Sequence, residues 1–343
     1  MIANDRNDGT KFQTEFLQRL GRRFKSRGEL VRTLSETLNV GRDAVYRRLR
    51  GETILGADEM MLLARTFRIR IGEGSAGGDF PTLIYPNTTQ QTTSEVEYFA
   101  RLRHYTAGLT DLTDLRVDYA SSELPLFYEL STPTLRAFKI YIYSLSCWKL
   151  AKWEGLAFRR ALISPEAHTL AQDILRDAYQ INGRELWSVG ILDTTLRQIS
   201  YVAETGMFSS EEELREIFAE LRAIVDHLEK MVRTGRRFPP GEEPDEDSPR
   251  LNVYHNELSN TNNSIIINSV EQTFMFSTLI NPNYLVTYDE RIINDVQQWF
   301  DGLVESGSAL SADSGKYTTR YFNQLRQKID STWERISFSR SSF

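Results

Sequence analysis

Apolar residues in the first 70 positions recur every three or four residues, which is the spacing of one face of an α-helix. The pattern predicts four short helices in succession, joined by polar turns. Their apolar faces are Phe12, Phe16, Leu17, Leu20 and Phe24, then Leu30, Val31, Leu34 and Leu38, then Val45 and Leu49, then Met61, Ala64 and Phe67. The N-terminal part of the chain is therefore expected to be a small helical bundle.

Turn and capping residues mark the ends of these helices. Ser26 and Glu29 are three residues apart, which is a capping-box pattern that starts the second helix. Asn39 is one of the few residue types besides glycine that tolerate a left-handed conformation, so it is expected to form the turn after that helix. The third helix is predicted over 42–50, and Gly51 ends it.

The longer remainder of the chain has helical periodicity up to about residue 238 and a mixed pattern after it. Segment 134–153 is apolar around most of its circumference and predicts a buried central helix. Four short alternating or β-branched runs predict strands. The predicted helices are 95–109, 134–153, 211–232, 290–303 and 317–336, and the predicted strands are 115–119, 251–254, 265–267 and 273–277.

Two breaks in composition divide the chain. The first holds four glycines between Gly72 and Gly78 and is typical of a flexible linker. The second is rich in proline and acidic residues and predicts a surface loop. The expected division is 1–71 as a helical head, 72–82 as linker, 83–238 as a helical regulatory or oligomerisation region, 239–250 as the acidic loop and 251–343 as an α+β region.

Charge is distributed unevenly between these parts. Residues 1–72 hold 15 Lys and Arg against 9 Asp and Glu, whereas the remainder holds 26 basic against 38 acidic residues. A basic head on an acidic body suggests that the head meets a polyanion. The single cysteine, Cys147, excludes an intrachain disulfide and a cysteine metal cage. With no apolar signal core or membrane-length apolar run, we expect a cytoplasmic protein without a membrane partner.

The stretch from Leu34 to Gly51 carries a specific spacing of residues. A leucine, the small residue Ser35, Leu38, the turn residue Asn39 and Val40 precede a helix that ends in glycine. This stretch resembles the helix-turn-helix of the Cro/C1-type (lambda-repressor-like) DNA-binding domains, and the resemblance covers residues 11–71. Arg48 departs from the pattern, since it stands where a third apolar residue is usual, and Leu49 would take that role.

The resemblance implies that the helix over 42–50 enters the major groove of double-stranded DNA. Arg42 and Arg47 are the candidates for contact with base edges, because arginine pairs well with guanine. Arg32, Arg48 and Arg50 are the candidates for phosphate contact. The remaining outward positions are Asp43, Ala44, which would touch a thymine methyl, and Tyr46, which would bond a phosphate or pack on a base.

The fold class expected from these patterns is mainly α with a small α+β C-terminal part. It combines a helix-turn-helix bundle with a larger helical body that carries a short antiparallel sheet. Since one such head makes a small interface, a homodimer is expected. The apolar segments 274–276 and 299–300 are candidates for a dimer surface, although packing within their own core is favoured for each residue.

The function expected is that of a bacterial, sequence-specific transcriptional regulator with an effector-sensing or dimerisation body. No catalytic, metal or cofactor motif stands out, so no cofactor is expected. Two alternatives stay open: an enzyme with a helix-turn-helix tether, favoured by a polar cluster in a pocket, and a protein-interaction scaffold. An apolar pocket would favour a small-molecule or protein effector. Its candidate lining is Tyr141, Tyr143, Trp148 and Trp153, for which core packing is the favoured alternative.

Overall fold

A computed structural model describes residues 5–67, 92–258 and 262–341. The chain divides into two compact units, Met1–Thr82, here called the head, and Leu83–Phe343, here called the body. The predicted linker over 72–82 lies outside the described residues. Among the described residues, no helix is long and apolar enough to cross a membrane.

The head has the four helices that its apolar periodicity predicts. They are α1 (Asp5–Gly21), α2 (Arg27–Leu38), α3 (Arg42–Leu49) and α4 (Ala57–Thr66). Most of the predicted inward positions join one small core, in which Phe16, Leu20 and Leu63 are fully buried. The predicted face of α4 is wrong at Met61, which is 45% exposed, because Met60 and Leu63 face the core in its place. Since so small a core leaves little margin of stability, polar contacts between the helices also matter for the head.

The turn between α2 and α3 has the left-handed conformation that Asn39 predicts. Asn39 adopts the left-handed conformation, with φ of 51° and ψ of 47°. The Ser35 hydroxyl donates to the carbonyl oxygen of Val40 at 2.5 Å, and the Val40 amide donates back to the Ser35 carbonyl at 3.1 Å. At the start of α2, Ser26 accepts a hydrogen bond from the Glu29 amide, as predicted.

A mixed sheet lies at the centre of the body. Its order is β6-β5-β4-β1-β2-β3-β7. Strands β1, β2 and β3 are consecutive in this order and parallel, and the remaining neighbours pair antiparallel. The strands are β1 (Arg116–Ser121), β2 (Asn182–Trp187), β3 (Leu251–His255), β4 (Ser264–Asn268), β5 (Thr273–Ile280), β6 (Asn283–Thr287) and β7 (Ser308–Leu310).

Helices cover both faces of this sheet. Most of them share one large core with Trp187 of β2 and Val253 of β3, whereas α11 covers the opposite face through Phe300 and Ile293. The body helices are α5 (Glu95–Thr110), α6 (Leu126–Glu129), α7 (Pro133–Tyr143), α8 (Pro165–Ala178), α9 (Asp193–Glu204), α10 (Glu211–Thr234), α11 (Glu290–Ser306) and α12 (Gly315–Ser341).

The predicted fold class is wrong about the sheet. Helix does predominate, at 59% of the structure, but the sheet has seven described strands and parallel pairs instead of being short and antiparallel. Strand β2 was missed because its sequence, with Gly183, Arg184 and Glu185, lacks the β-branched alternation of a strand. Tertiary partners stabilise it instead, since Arg184 pairs with Asp118 and Glu185 with Arg237.

The predicted central helix over 134–153 is also shorter than expected. Helix α7 ends at Tyr143 and continues as a π-helical turn over Ser144–Trp148. Lys149 then takes a left-handed conformation with φ of 52°, which ends the helical segment. Apolar residues on most sides of the segment gave no periodicity from which this end could be predicted, although Leu145, Ser146 and Lys149 in its second half are exposed.

Beneath α11, a buried carboxylate joins several strands. Asp118 of β1 is fully buried, and its oxygens accept hydrogen bonds from Arg184 at 2.6 and 2.9 Å, from Asn268 at 3.3 Å and from Gln297 at 3.1 Å. Burial alone would raise the pKa of Asp118, but its hydrogen bonds and ion pair with Arg184 outweigh burial and lower it. The charged form is therefore the one that stabilises this part of the sheet.

Replacing this carboxylate tests that conclusion. Asp118→Asn is expected to lower the free energy of unfolding of the body by about 2 kcal/mol at neutral pH, since charged hydrogen bonds to Arg184 are lost. Because the pKa of Asp118 is lowered in the folded state, its contribution is complete above its ordinary value of 3.8 and disappears as the pH falls through the folded value.

The difference in free energy of unfolding between the native chain and Asp118→Asn should therefore decrease in acid. Urea titrations followed by tryptophan fluorescence measure it, since all five tryptophans lie in the body. Glu246→Gln, in the exposed acidic loop, is the control. A difference in free energy of unfolding that stays constant from pH 7 to pH 3 would contradict the conclusion that the charged form of Asp118 stabilises the sheet.

Candidate nucleic-acid interface and body cavity

Helix α3 presents a polar face opposite its buried one. Val45 is buried in the head core and Leu49 packs against that core. Asp43, Arg47 and Arg50 follow at intervals of four and three residues, so they share the opposite face, and all three are exposed. The outward direction of α3 is therefore set by the residues that bury its inner side.

The candidate base-contacting side chains lie where a ligand can reach them. Arg42 stands at the first position of α3 and is exposed, as is Arg47 one turn later. Neither makes an ion pair within the described residues of the head. Arg32 on α2 is also exposed, whereas Ala44 and Tyr46 are half-buried, and Tyr46 packs against the head core.

Arg48 and Arg50 have carboxylate partners within the head. The Arg48 guanidinium donates to both oxygens of Glu59 on α4, at 2.7 and 3.2 Å, and to the Ala44 carbonyl at 3.1 Å. Arg48 thus joins α3 to α4 at the position where an apolar residue is usual, and it is not placed for the phosphate contact expected of it. Arg50 is exposed but pairs with Glu52 at 2.6 Å.

Sequence reasoning missed the role of Gln13 on α1. Its side chain is fully buried, donates to the carbonyls of Arg48 at 2.9 Å and Thr53 at 2.8 Å, and accepts from the Leu55 amide at 2.6 Å. The amide therefore fixes the end of α3 and the loop that follows it. A polar residue between the apolar positions of α1 was the available signal, but it is ordinary for an exposed helix position.

The aromatic residues considered as a pocket lining are part of the main core instead. Tyr141, Tyr143, Trp148 and Trp153 are all buried there. The Tyr141 hydroxyl donates to the Leu156 carbonyl at 2.8 Å. Packing was the favoured alternative for these residues, and the structure confirms it.

A different cavity lies in the body, between α5 and the sheet. Its volume is about 150 Å³. Strands β1, β4, β5 and β6, the start of α6 and the residues that follow α8 complete its wall. The apolar lining is Leu102, Leu109, Val117, Pro125, Leu126, Phe127, Ala178, Ile181, Ile265, Ile267, Phe276, Pro282 and Val286. No local pattern in the sequence indicates this cavity, because these residues come from seven separate segments.

One end of the cavity contains a buried ion pair. Arg237 donates to Glu185 of β2, and Glu185 also accepts from the Tyr128 hydroxyl at 2.8 Å and from the Trp187 indole at 2.9 Å. Burial raises the pKa of Glu185, and Arg237 opposes that shift. Gly183 makes room for the guanidinium, since a Cβ there would approach its Nη2 to 2.5 Å.

The four histidines have separate partners. His168 lies 3.0 Å from Arg136, His227 bonds the Phe238 carbonyl at 2.8 Å, and His255 contacts Tyr317 and Glu257, whereas His104 is exposed. Burial lowers the pKa of both His168 and His227. Within the described ranges, no group of three histidine, cysteine, aspartate or glutamate side chains is placed to hold a metal ion.

The Arg48–Glu59 pair generates a test of the head. Glu59→Gln leaves the guanidinium half-buried without its carboxylate, so the head should lose about 1–2 kcal/mol of stability. Arg48→Leu should lose less, because it restores an apolar contact between α3 and α4. Hydrogen exchange by mass spectrometry on peptides of α3 and α4 measures both, since the head contains no tryptophan.

The exposed neighbour Asp58→Asn is the matched control for this pair. Equal exchange rates in Glu59→Gln and Asp58→Asn would show that the ion pair does not hold the two helices together.

Comparison of the chain with protein-family models, with curated proteins and with solved structures finds no match in any of the three. No relative therefore supplies a function for this chain, and the residues described above carry the proposals that follow.

Proposed function

We propose that the protein is a sequence-specific DNA-binding transcriptional regulator, with α3 as the helix that reads the major groove. The observation that carries the proposal is the polar face of α3. Arg42 and Arg47 are exposed there and make no ion pair in the described head, on a helix whose inner side is buried in the helix-turn-helix core. Arginine side chains in this position can pair with guanine edges or phosphates.

The proposed contacts follow from the positions of the side chains. Arg42 and Arg47 read bases, Asp43 and Ala44 lie beside them, and Arg32 contacts phosphate from α2. Arg50 keeps a phosphate role only when DNA displaces Glu52. Tyr46 contributes through its exposed edge, while Arg48 keeps its place between the helices.

We further propose that the regulator binds DNA as a homodimer. A single head of this kind buries only about 600–1,000 Å², which is small for a specific site. Two heads would read half-sites about 34 Å apart, one turn of DNA. The segments 274–276 and 299–300 do not supply the dimer surface, because Phe274, Met275 and Phe300 are buried in the cores of the body itself.

The body is proposed to sense an effector. Its cavity is lined mainly by apolar side chains, and the two charged groups at its end neutralise each other. An enzyme needs reactive polar groups that converge on a substrate, whereas an apolar cavity with a few polar positions suits reversible binding of a small molecule. The cavity therefore favours the regulator over the enzyme alternative.

Substitutions on the head separate the proposed roles. Arg47→Ala and Arg42→Ala should each weaken binding to the specific site by about 1–3 kcal/mol and relax the preference at one base position. Arg32→Ala should weaken binding to all sequences alike and reduce the salt dependence. Arg48→Leu, which removes an internally paired charge, should leave the salt dependence unchanged.

The experiment is selection from random DNA by the full chain across a salt series, with sequencing of the retained fragments. The proposal predicts a steep salt dependence and an enriched palindrome whose spacing reports the dimer. Retention without an enriched sequence would leave only non-specific binding. Absence of retention at low salt would reject the proposal and favour the interaction scaffold.

A further inference from the structure

Several buried polar atoms at the cavity between α5 and the sheet have no partner. The hydroxyls of Tyr98 and Tyr179 and the Nε of Arg237 are inaccessible and make no hydrogen bond within the described structure. All three residues are more than nine-tenths buried, and all three line the cavity. Because buried polar groups are nearly always hydrogen-bonded, such a cluster around one space needs an explanation.

From this arrangement we propose that the cavity is the binding site for a small, neutral, mainly apolar molecule, such as an aromatic ring, that carries one oxygen able to accept hydrogen bonds. The oxygen is placed at the end formed by Arg237 and Tyr179, and the apolar part lies between α5 and strands β1 and β4. This inference names the ligand class of the effector site proposed above, but it rests on the cavity and not on DNA binding.

The volume of the cavity sets the size of the ligand. Protein interiors are close-packed, and voids much larger than a water molecule are few. An engineered apolar cavity of roughly the same 150 Å³ takes up benzene in another protein. A molecule of about six to ten non-hydrogen atoms therefore fits the space described here.

The charges around the cavity decide that the ligand is neutral. Glu185 and Arg237 neutralise each other, and Arg101, also in the lining, pairs with Glu97 at 2.7 Å. No countercharge is left for a carboxylate or an amine, and burial of an unpaired charge is strongly unfavourable.

The unpartnered atoms decide that the ligand offers an acceptor. An arginine Nε can only donate, whereas a tyrosine hydroxyl can donate or accept. Neither atom is accessible as the side chains stand, so both side chains turn towards the oxygen when the ligand binds. A carbonyl or ether oxygen would then satisfy Arg237 Nε and the Tyr179 hydroxyl together. A pure hydrocarbon would leave both of these donors unpaired.

Three probes of nearly equal size test this assignment on the full chain. Acetophenone carries the acceptor, α-methylstyrene replaces its C=O by C=CH₂, and benzoate adds a charge. Titration by saturation-transfer NMR should give saturable binding of acetophenone, at least tenfold tighter than either of the other probes. Equal affinity for acetophenone and α-methylstyrene, tighter binding of benzoate, or no saturable binding of any probe would each overturn the proposal.

Variants locate the binding at this cavity. Tyr179→Phe removes one unpartnered hydroxyl, so the chain should stay folded and its preference for acetophenone over α-methylstyrene should fall at least threefold. Tyr201→Phe, an exposed tyrosine, is the matched control and should change nothing. An unchanged preference in Tyr179→Phe would overturn the placement of the oxygen.

Ala178→Phe fills the cavity and should abolish binding of both uncharged probes. If Ala178→Phe does not fold, Leu109→Trp gives the same test, because Leu109 lines the cavity from α5. Binding of the probes that persists in a folded filling variant would overturn the assignment of the cavity.

The same preparations separate this inference from the proposed function. A chain that binds acetophenone but retains no DNA would keep the cavity site and reject the regulator. A chain that retains DNA with an enriched palindrome but binds no probe would keep the regulator and reject the cavity site.

Discussion

The ion pair between Glu185 and Arg237 joins strand β2 to the segment between α10 and β3, beside the cavity of the body. Glu185 lies on β2, at the middle of the three parallel strands, and Arg237 lies just after α10, where the chain returns towards β3. Around the pair, Arg237 N donates to the Pro249 carbonyl and Gly183 N to the Arg250 carbonyl. The pair thus fixes how the crossover through α10 joins the sheet. A buried charge is tolerated only when it is paired and hydrogen-bonded. Tyr128 and Trp187 supply the further hydrogen bonds that the buried Glu185 carboxylate needs.

This requirement also shapes the cavity. Glu185 uses both of its oxygens on protein donors, whereas Arg237 keeps one donor without a partner. The polar end of the cavity is therefore electrically neutral but short of acceptors. A fully apolar wall would have selected ligands by shape alone, and a free charge would have selected ions. The combination present here selects for one acceptor oxygen on an apolar molecule.

The head is held together by a different balance of interactions. Its core is small, and polar side chains supply the contacts that fix the angle between α3 and α4. Gln13 bonds the end of α3 and the following loop, and Arg48 pairs with Glu59 across the two helices. These internal contacts use one of the arginines of α3 for structure. They leave Arg42 and Arg47 as the exposed pair on which the proposed recognition of DNA rests.

The sequence by itself determined the local elements of the head. The spacing of its apolar residues, the cap at Ser26 and the left-handed turn at Asn39 depend on neighbours a few residues away, so they could be predicted. Only the tertiary structure decided the sheet of the body and the cavity. Strand β2 has no strand-like pattern of its own and depends on partners such as Asp118 and Arg237, distant along the chain. Nor does any local pattern show that residues from seven segments line one cavity, because that follows from how the sheet and α5 pack.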